Sequence, residues 1–307
     1  VKYYTVNGSQ LNEIYSTIEN NNMEIVLLEK SPKIAVYSPP EKQPWDDAVT
    51  LALTYAEIKY DVIFDDEVLN GELSNYDWLH LHHEDFTGQY GKFYRNYHNA
   101  PWYIEQKNNF ESLAKKYGMV SVHEEKKAIS RIIKNYIGNG GFLFAMCSAT
   151  DSYDIALSLE GIDGVHSVFD GTPVEKNLSK KIDYKKTLAF KDFSIYPDPM
   201  IYEFSDIDFP PSHNPVTRGA EADYFSLFEF SAKYDPVPTM LTQNHVPVVK
   251  GFMGQTTGFN KNMIKSHVII MGEDPSSNQA KYIHGNYGNC LLYTSPSPRD
   301  RQKSRMP

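Results

Sequence analysis

The residue in this chain best placed for chemistry is Cys147. It follows an apolar, aromatic run at 142–146 and precedes a helix-forming segment at 151–160, with the small residues Ala145 and Ala149 on either side. This layout is typical of a nucleophile elbow, in which a reactive side chain lies on a strained turn between a strand and a helix. A helix N-terminus at that position would favour the thiolate.

Catalysis and packing both remain open for this cysteine. A lone cysteine often behaves as a small hydrophobic side chain at the end of an apolar strand. In the catalytic interpretation, the Cys147 thiolate attacks an amide or related acyl carbon, and backbone amides near Ser148 stabilise the oxyanion. The two interpretations differ in whether the thiol reacts.

A second cluster of reactive residue types lies at 80–85. His80 and His82 would share one face of a strand, and His83, Glu84 and Asp85 lie where that strand opens into a loop. Imidazoles and carboxylates suit zinc, iron or manganese, so one hypothesis is a metal-dependent hydrolase. Such residues also satisfy strand ends and cap the following segment, and the spacing alone predicts no metal site.

The same segment supports a non-catalytic hypothesis. In that hypothesis His82, His83, Glu84 and Asp85 contact a polar ligand such as a sugar, and Cys147 has no chemical role. Replacing Cys147 with alanine would then leave ligand binding intact. We expect a small polar molecule as the partner in either case, and we predict no cofactor.

Strands and helices alternate through the first half of the chain. Strands are predicted at 23–28, 33–40, 61–64, 76–83 and 142–146, and helices at 11–20, 45–58, 102–117, 122–136 and 151–160. This alternation predicts an α/β fold with a mainly parallel sheet flanked by helices. Later β-type runs are expected to extend or flank the same sheet; they lie at 186–190, 239–242, 246–252 and 268–271.

Ligands of open α/β sheets bind outside the carboxyl ends of the strands, near the point where the strand order reverses. Cys147 follows one predicted strand, and segment 80–85 ends another. Both are therefore expected at the same edge of the sheet.

The two ends of the chain indicate a fragment truncated on both sides. Residues 290–307 resemble a translated sequencing-library adapter, and the chain begins with Val1 instead of Met. We expect a single α/β domain over 1–289, with an embedded subdomain over about 165–235 as an alternative. Cys147 is then the one native cysteine, which predicts no internal disulfide.

The net charge argues against nonspecific nucleic-acid binding. Leaving out 290–307 removes four basic residues and one acidic residue, which moves the formal net charge from -9 to -12. No apolar run approaches the length of a membrane-spanning helix. The oligomeric state stays open, and so does the compartment, cytoplasmic or periplasmic, because a signal peptide would precede Val1.

Six long motifs carry a resemblance to a known family. They lie at 34–39, 43–51, 76–93, 142–152, 202–208 and 235–245. These motifs resemble those of a bacterial family, mostly from Bacteroidetes-type genomes, that is often labelled asparagine synthetase B. The resemblance covers nearly all of 1–289 and implies a flavodoxin-like fold similar to a class I glutamine amidotransferase domain. The chain lacks the N-terminal cysteine and the Ser-Gly-Gly-x-Asp-Ser loop of a true asparagine synthetase.

The resemblance also implies roles for individual residues. Cys147 matches the nucleophile of Gly-x-Cys-x-Gly, with alanines in place of both glycines. The Thr87–Gly88 turn would occupy the place of the family's oxyanion loop, although its His-rich lead-in departs from the usual pattern. The general base of the family would follow residue 289, where the adapter-like tail begins. Among the histidines present, His245 ranks first because it follows a predicted strand, ahead of His267 and His284. The leading hypothesis is a Cys-nucleophile amidohydrolase.

Overall fold

The computed structural model describes residues 7–20, 32–40, 48–55, 57–208, 224–227, 248–250, 258–274, 278–288 and 290–295. The chain forms two compact units, Val1–Pro32 and Lys33–Pro307. In the first unit, helix α1 spans Gly8–Asn20, which confirms the helix predicted at 11–20. The strand predicted at 23–28 lies outside the described residues.

The second unit contains a parallel four-stranded sheet. Its strands are β1 (Ile34–Tyr37), β2 (Tyr60–Ile63), β3 (Trp78–Leu81) and β4 (Phe142–Met146), in the order β2-β1-β3-β4. All four residues of β1 are buried, as expected for a strand covered on both faces. The predicted α/β fold is confirmed. The strand order reverses between β1 and β3, so a ligand crevice is expected above their carboxyl ends.

Helices connect and cover these strands. They are α2 (Ala48–Tyr55), α3 (Asp65–Leu69), α4 (Tyr94–Tyr97), α5 (Pro101–Lys116), α6 (Val122–Gly138), α7 (Ser148–Ser158) and α8 (Ser167–Asp170). Pro101 begins α5, where its missing N–H is not needed, and the Ser121 side chain caps α6. The helix α6 buries Ile129, Ile133 and Ile137, which lie at helical spacing on one face.

The sheet continues beyond β4 in a mostly antiparallel half. Its strands are β5 (Tyr224–Leu227), β6 (Val248–Lys250), β7 (Phe259–Asn260), β8 (Ile269–Asp274), β9 (Gln279–Tyr287) and β10 (Cys290–Ser295). The order is β4-β10-β9-β8-β5-β6, with β7 paired to β9, and β10 runs parallel to β4. Strands β6 and β8 confirm the runs predicted at 246–252 and 268–271. The first six residues of the adapter-like segment therefore form a strand in the sheet.

The strand predicted at 186–190 is wrong. Within that run only Phe190 forms an isolated bridge, to Ile264. The buried Asp154 carboxylate accepts hydrogen bonds from the amides of Leu188, Ala189 and Phe190, at 2.6, 2.8 and 2.8 Å. The Asp154 side chain therefore accepts the hydrogen bonds that these amides would have donated to a neighbouring strand. The run predicted at 239–242 lies outside the described residues.

Candidate functional site

Cys147 is the single residue between β4 and α7. Its backbone has φ 53° and ψ -138°, a region that residues with a Cβ rarely adopt and that costs on the order of 1–3 kcal/mol. The side chain is largely buried, and in the described part of the chain it forms no disulfide. The helix begins at Ser148, three residues before the start predicted from the sequence. Cys147 therefore directly precedes the helix N-terminus.

The first amides of α7 follow Cys147. Ser148 and Ala149 occupy the first two helical positions, where the backbone amides have no carbonyl one turn earlier to bond. The Thr150 amide donates to the Cys147 carbonyl at 3.1 Å, which closes the corner. Amides at the start of a helix can stabilise an oxyanion that forms on a substrate carbonyl.

Two serines of α7 hold the histidine-rich loop against this corner. The Ser148 hydroxyl donates to the His83 carbonyl at 2.7 Å, and the Ser152 hydroxyl donates to the Glu84 carbonyl at 3.1 Å. The amide of Phe86 donates back to Ser152 Oγ at 3.2 Å. The structure thus brings together the two segments that the sequence placed at one edge. The four-residue spacing of the serines, one helical turn, was a signal for this contact.

The histidines continue from the end of β3. The strand ends at Leu81, so His82 and His83 belong to the loop and not to the strand predicted at 76–83. His80 is fully buried and pairs in register with Phe144, and their rings stack at 5.6 Å. The rings of His82 and His83 have their centroids 3.3 Å apart. The last residue of β3, Leu81, pairs with Ala145 of β4, so His82 and His83 directly follow the paired part of the strand.

Asp85 organises the loop in which it lies. Its Oδ1 accepts hydrogen bonds from the amide and the hydroxyl of Thr87, both at 2.6 Å. Its Oδ2 accepts from the amides of Gln89 at 2.8 Å and Gly91 at 3.0 Å. Glu84 similarly accepts from the amide of His82, at 2.8 Å. The carboxylate of Asp85 therefore caps the segment that follows the strand, which is the alternative role that the sequence left open for it.

Gly88 packs against the start of α6. Its φ is 82°, and a Cβ at this position would lie 2.7 Å from the Cα of His123. The loop is also tied to a later segment, because Lys92 Nζ donates to the carbonyls of Tyr196, at 2.5 Å, and Asp198, at 3.1 Å. Burial lowers the pKa of Lys92 to about 8. These contacts fix the shape of the loop next to Cys147.

The candidate metal ligands are not where the sequence suggested. In the described ranges, His123, Asp163 and Asp170 form the group whose three ligand atoms lie close enough together to hold one ion. Residues 80–85 form no such group among the described residues. The metal-dependent hydrolase hypothesis therefore gains no geometric support at that segment.

The three histidines that the sequence offered as a general base either lie on or near strands beyond β4 in the sheet or lie outside the described residues. His245, the first-ranked base, lies outside the described residues. His284 lies on β9, which is separated from β4 by β10, and burial lowers its pKa. His267 precedes β8. The described histidines that follow a strand at the Cys147 edge are His82 and His83.

Comparison with known proteins gives no family for this chain. No protein-family description and no curated protein sequence matches it. Three solved structures align over most of its length. Two are cytoplasmic proteins of Salmonella typhimurium, with 10% and 12% identity, TM-scores of 0.39 and 0.40, and coverage of 87% and 88% of this chain and 87% and 89% of theirs. The third, a GMP synthase-like protein of Thermoplasma acidophilum, has 7% identity, a TM-score of 0.37, and coverage of 87% of this chain and 84% of that one.

The helices do not offer a membrane span. Among the helices of the described ranges, none is both long enough and apolar enough to cross a bilayer. The longest, α6, has 17 residues and carries charged side chains along its length.

Proposed function

We propose that this chain is a Cys-nucleophile amidohydrolase of the class I glutamine amidotransferase type, with Cys147 as its nucleophile and a small polar amide as its substrate. The observation that carries the proposal is the positive φ of Cys147 on a one-residue corner between β4 and α7. Such strain persists only where the surrounding structure imposes it, and it clusters at reactive sites. A cysteine that only fills space needs no such backbone. The motif resemblance to the family labelled asparagine synthetase B agrees with amide chemistry.

The reaction proceeds through a thioester. The Cys147 thiolate attacks the amide carbon, a C–S bond forms, and the carbonyl electrons move to oxygen. The early amides of α7, at Ser148 and Ala149, and the Gly88 turn hold that oxyanion. As it collapses, the C–N bond breaks, and ammonia leaves with a proton from a histidine. Water then attacks the thioester, which releases the carboxylic acid and restores the thiol.

The proton carrier is proposed to come from the loop that Ser148 holds. His82 and His83 lie on this loop, and the His83 carbonyl accepts the hydrogen bond from Ser148, the residue after Cys147. His245, the first candidate from the sequence, lies outside the described residues. Imidazole titrates near neutral pH and can first accept the thiol proton and then donate it to the leaving nitrogen. Single alanine variants of His82 and His83 would identify which of the two carries the proton.

The test is amide turnover with matched cysteine variants. Ammonia release from glutamine, asparagine and simple primary amides is measured for the wild type, Cys147→Ala and Cys290→Ser, and intact mass is recorded after treatment with a glutamine-derived chloroketone. We expect turnover and one adduct in the wild type and in Cys290→Ser, and neither in Cys147→Ala. Retained turnover in Cys147→Ala, or no turnover and no adduct in the wild type, would overturn the proposal. The second result would favour the polar-ligand-binding hypothesis.

A further inference from the structure

Three metal-binding side chains converge where α6 begins, beside the Gly88 turn. His123 lies in the first turn of α6, Asp163 in the connection after α7, and Asp170 at the end of α8. The His123 Nε2 atom is 3.3 Å from Asp170 Oδ2 and 3.9 Å from Asp163 Oδ1. We propose that His123, Asp163 and Asp170 form a binding site for one divalent transition-metal ion of the zinc type. None of these three residues is among those proposed for amide chemistry at Cys147.

The distances suit a tetrahedral ion. Zinc bonds of about 2.0–2.1 Å to nitrogen and oxygen place neighbouring ligand atoms roughly 3.3 Å apart in a tetrahedron. The His123–Asp170 separation already has this value, and the three ligand atoms all lie within 4.8 Å of one another. Small side-chain rotations of Asp163 would complete three protein ligands. A water molecule would take the fourth position.

Burial sets this cluster apart from ordinary surface carboxylates. The side chains of His123, Asp163 and Asp170 are 9%, 20% and 5% exposed. They come from three separate elements and not from one acidic run. Enclosed carboxylates need a compensating cation or several hydrogen bonds, because burial removes their water. A metal ion bound between them would supply that charge and join the three elements.

The surrounding hydrogen bonds orient the carboxylates. The amides of Val165 and Thr172 donate to Asp163 Oδ1 at 3.1 Å and to Asp170 Oδ1 at 2.9 Å, the kind of outer contact that holds metal ligands in place. The Thr172 hydroxyl lies 2.7 Å from Oδ2 of both aspartates. One hydroxyl has one proton, so it can donate to only one of these oxygens at a time.

Lys127 is a positively charged side chain beside the cluster. It allows two interpretations of the cluster to be told apart, an ion-pair network and a metal site. Its Nζ lies 2.9 Å from His123 Nδ1 and donates to the Ile162 carbonyl. If the cluster is only an ion-pair network, Lys127 is its neutralising partner, and removing it weakens the network. If the cluster binds a metal, Lys127 repels the ion, and removing it tightens binding. The first interpretation therefore predicts no metal binding by the wild type and a less stable Lys127→Met variant, whereas the second predicts metal binding that Lys127→Met strengthens.

The experiment measures metal binding directly. The whole chain with Cys147→Ala and Cys290→Ser, which together remove both thiols as competing ligands, is titrated with Zn²⁺ by calorimetry and with Co²⁺ by visible absorption. We expect one equivalent bound, with a tetrahedral Co²⁺ spectrum. Asp170→Asn should lower the affinity by about 100-fold or more, because loss of an outer-shell contact alone costs 10–100-fold. Lys127→Met should raise it by about tenfold through loss of one nearby positive charge.

Two controls separate loss of the metal site from a general effect of substitution. Asp66→Asn removes a carboxylate that pairs with Lys116 at the surface, and it should leave metal affinity unchanged. Circular dichroism checks that each variant folds, and His123→Gln replaces Asp170→Asn if that variant does not. No bound metal, unchanged affinity in the folded ligand variant, or weaker binding in Lys127→Met would each overturn the inference. The result does not depend on Cys147 chemistry, since every variant carries Cys147→Ala.

Discussion

The backbone of Cys147 stores strain that substitution can release. Glycine adopts φ 53° and ψ -138° without a Cβ clash, whereas alanine retains the clash. We predict that Cys147→Gly is more stable than Cys147→Ala by about 1 kcal/mol, the strain less the entropy cost of glycine. Urea unfolding of the two variants measures this difference in stability. Because both variants lack the Cys147 thiol, its loss does not contribute to the difference. Equal stability, or a more stable alanine variant, would contradict a strained corner.

Glu125 should make stability depend on pH. It is fully buried in α6, and burial, followed by the nearby Asp65, raises its pKa to about 8. Because the folded-state pKa is raised, its contribution is complete below the usual value of 4.5 and is lost as the pH rises through about 8. Between about pH 6 and 8.5 the free energy of unfolding of the wild type should fall by about 2 kcal/mol relative to that of Glu125→Gln.

Chemical denaturation at several pH values tests the Glu125 prediction. The matched control is Glu105→Gln, which alters an exposed glutamate on α5 and should run parallel to the wild type. A Glu125→Gln curve that also runs parallel to the wild type would show that this carboxyl is charged throughout.

At the scale of residues, the sequence identified Cys147 and the histidines but not their supports. The small residues beside Cys147 and the chemistry of imidazole are local properties, visible in the sequence. Asp85 was predicted either to bind a ligand or to cap the following segment, and both its oxygens accept hydrogen bonds from amides of its own loop. The cluster of His123, Asp163 and Asp170 was missed, because tertiary packing alone brings His123 to two aspartates that lie 40 and 47 positions later in the chain.

The element whose shape matters most for the site is the loop between β3 and α4. Gly88 combines φ 82° with backbone contact to His123, whereas Gly71 has φ 83° and open space around its missing Cβ. Gly88→Ala should therefore cost about 2–4 kcal/mol, and Gly71→Ala only about 1 kcal/mol for the backbone conformation. Thermal or urea unfolding of the two variants measures the contrast. A similar cost at both sites would mean that the loop does not pack tightly on α6.

Element types were predicted better than element ends. The strand β3 ends at Leu81 and α7 begins at Ser148, so both boundaries at the site differ from the sequence prediction by two or three residues. Apolar periodicity identifies where an element is, but the ends depend on caps and contacts formed in three dimensions. At Ser148 that contact is the hydrogen bond to the His83 carbonyl, 65 residues earlier in the chain.

At the scale of the whole molecule, β10 joins the two halves of the sheet. It pairs with β4 over Leu292–Ser295 and with β9 over Cys290–Thr294. Whatever its origin, deletion of 290–307 should lower the thermal unfolding midpoint, because both neighbouring strands lose a hydrogen-bonded partner. Replacing 290–307 with a glycine-serine segment of equal length should lower it as much. An unchanged midpoint in both variants would show that the sheet does not need this strand.

The parallel half of the sheet was predictable, whereas in the antiparallel half strands β6 and β8 were predicted but not the order of the strands. Strands that alternate with helices indicate β1 to β4 directly, since each crossover needs a helix. The later strands pair across long connections, and their order depends on register and packing that a single sequence does not reveal. The run at 186–190 has a β-type sequence but forms no strand. Its amides donate hydrogen bonds to the Asp154 carboxylate and not to a neighbouring strand.

The measurement that most directly tests the central claim is the rate at which iodoacetamide alkylates Cys147. Peptide mass spectrometry at neutral pH separates Cys147 from Cys290, and the urea-unfolded chain gives the intrinsic rate of the same thiol. We predict that folding accelerates alkylation of Cys147 by about tenfold or more, because the start of α7 favours the thiolate. Alkylation in the folded chain that is no faster than in the unfolded chain would contradict a nucleophilic Cys147.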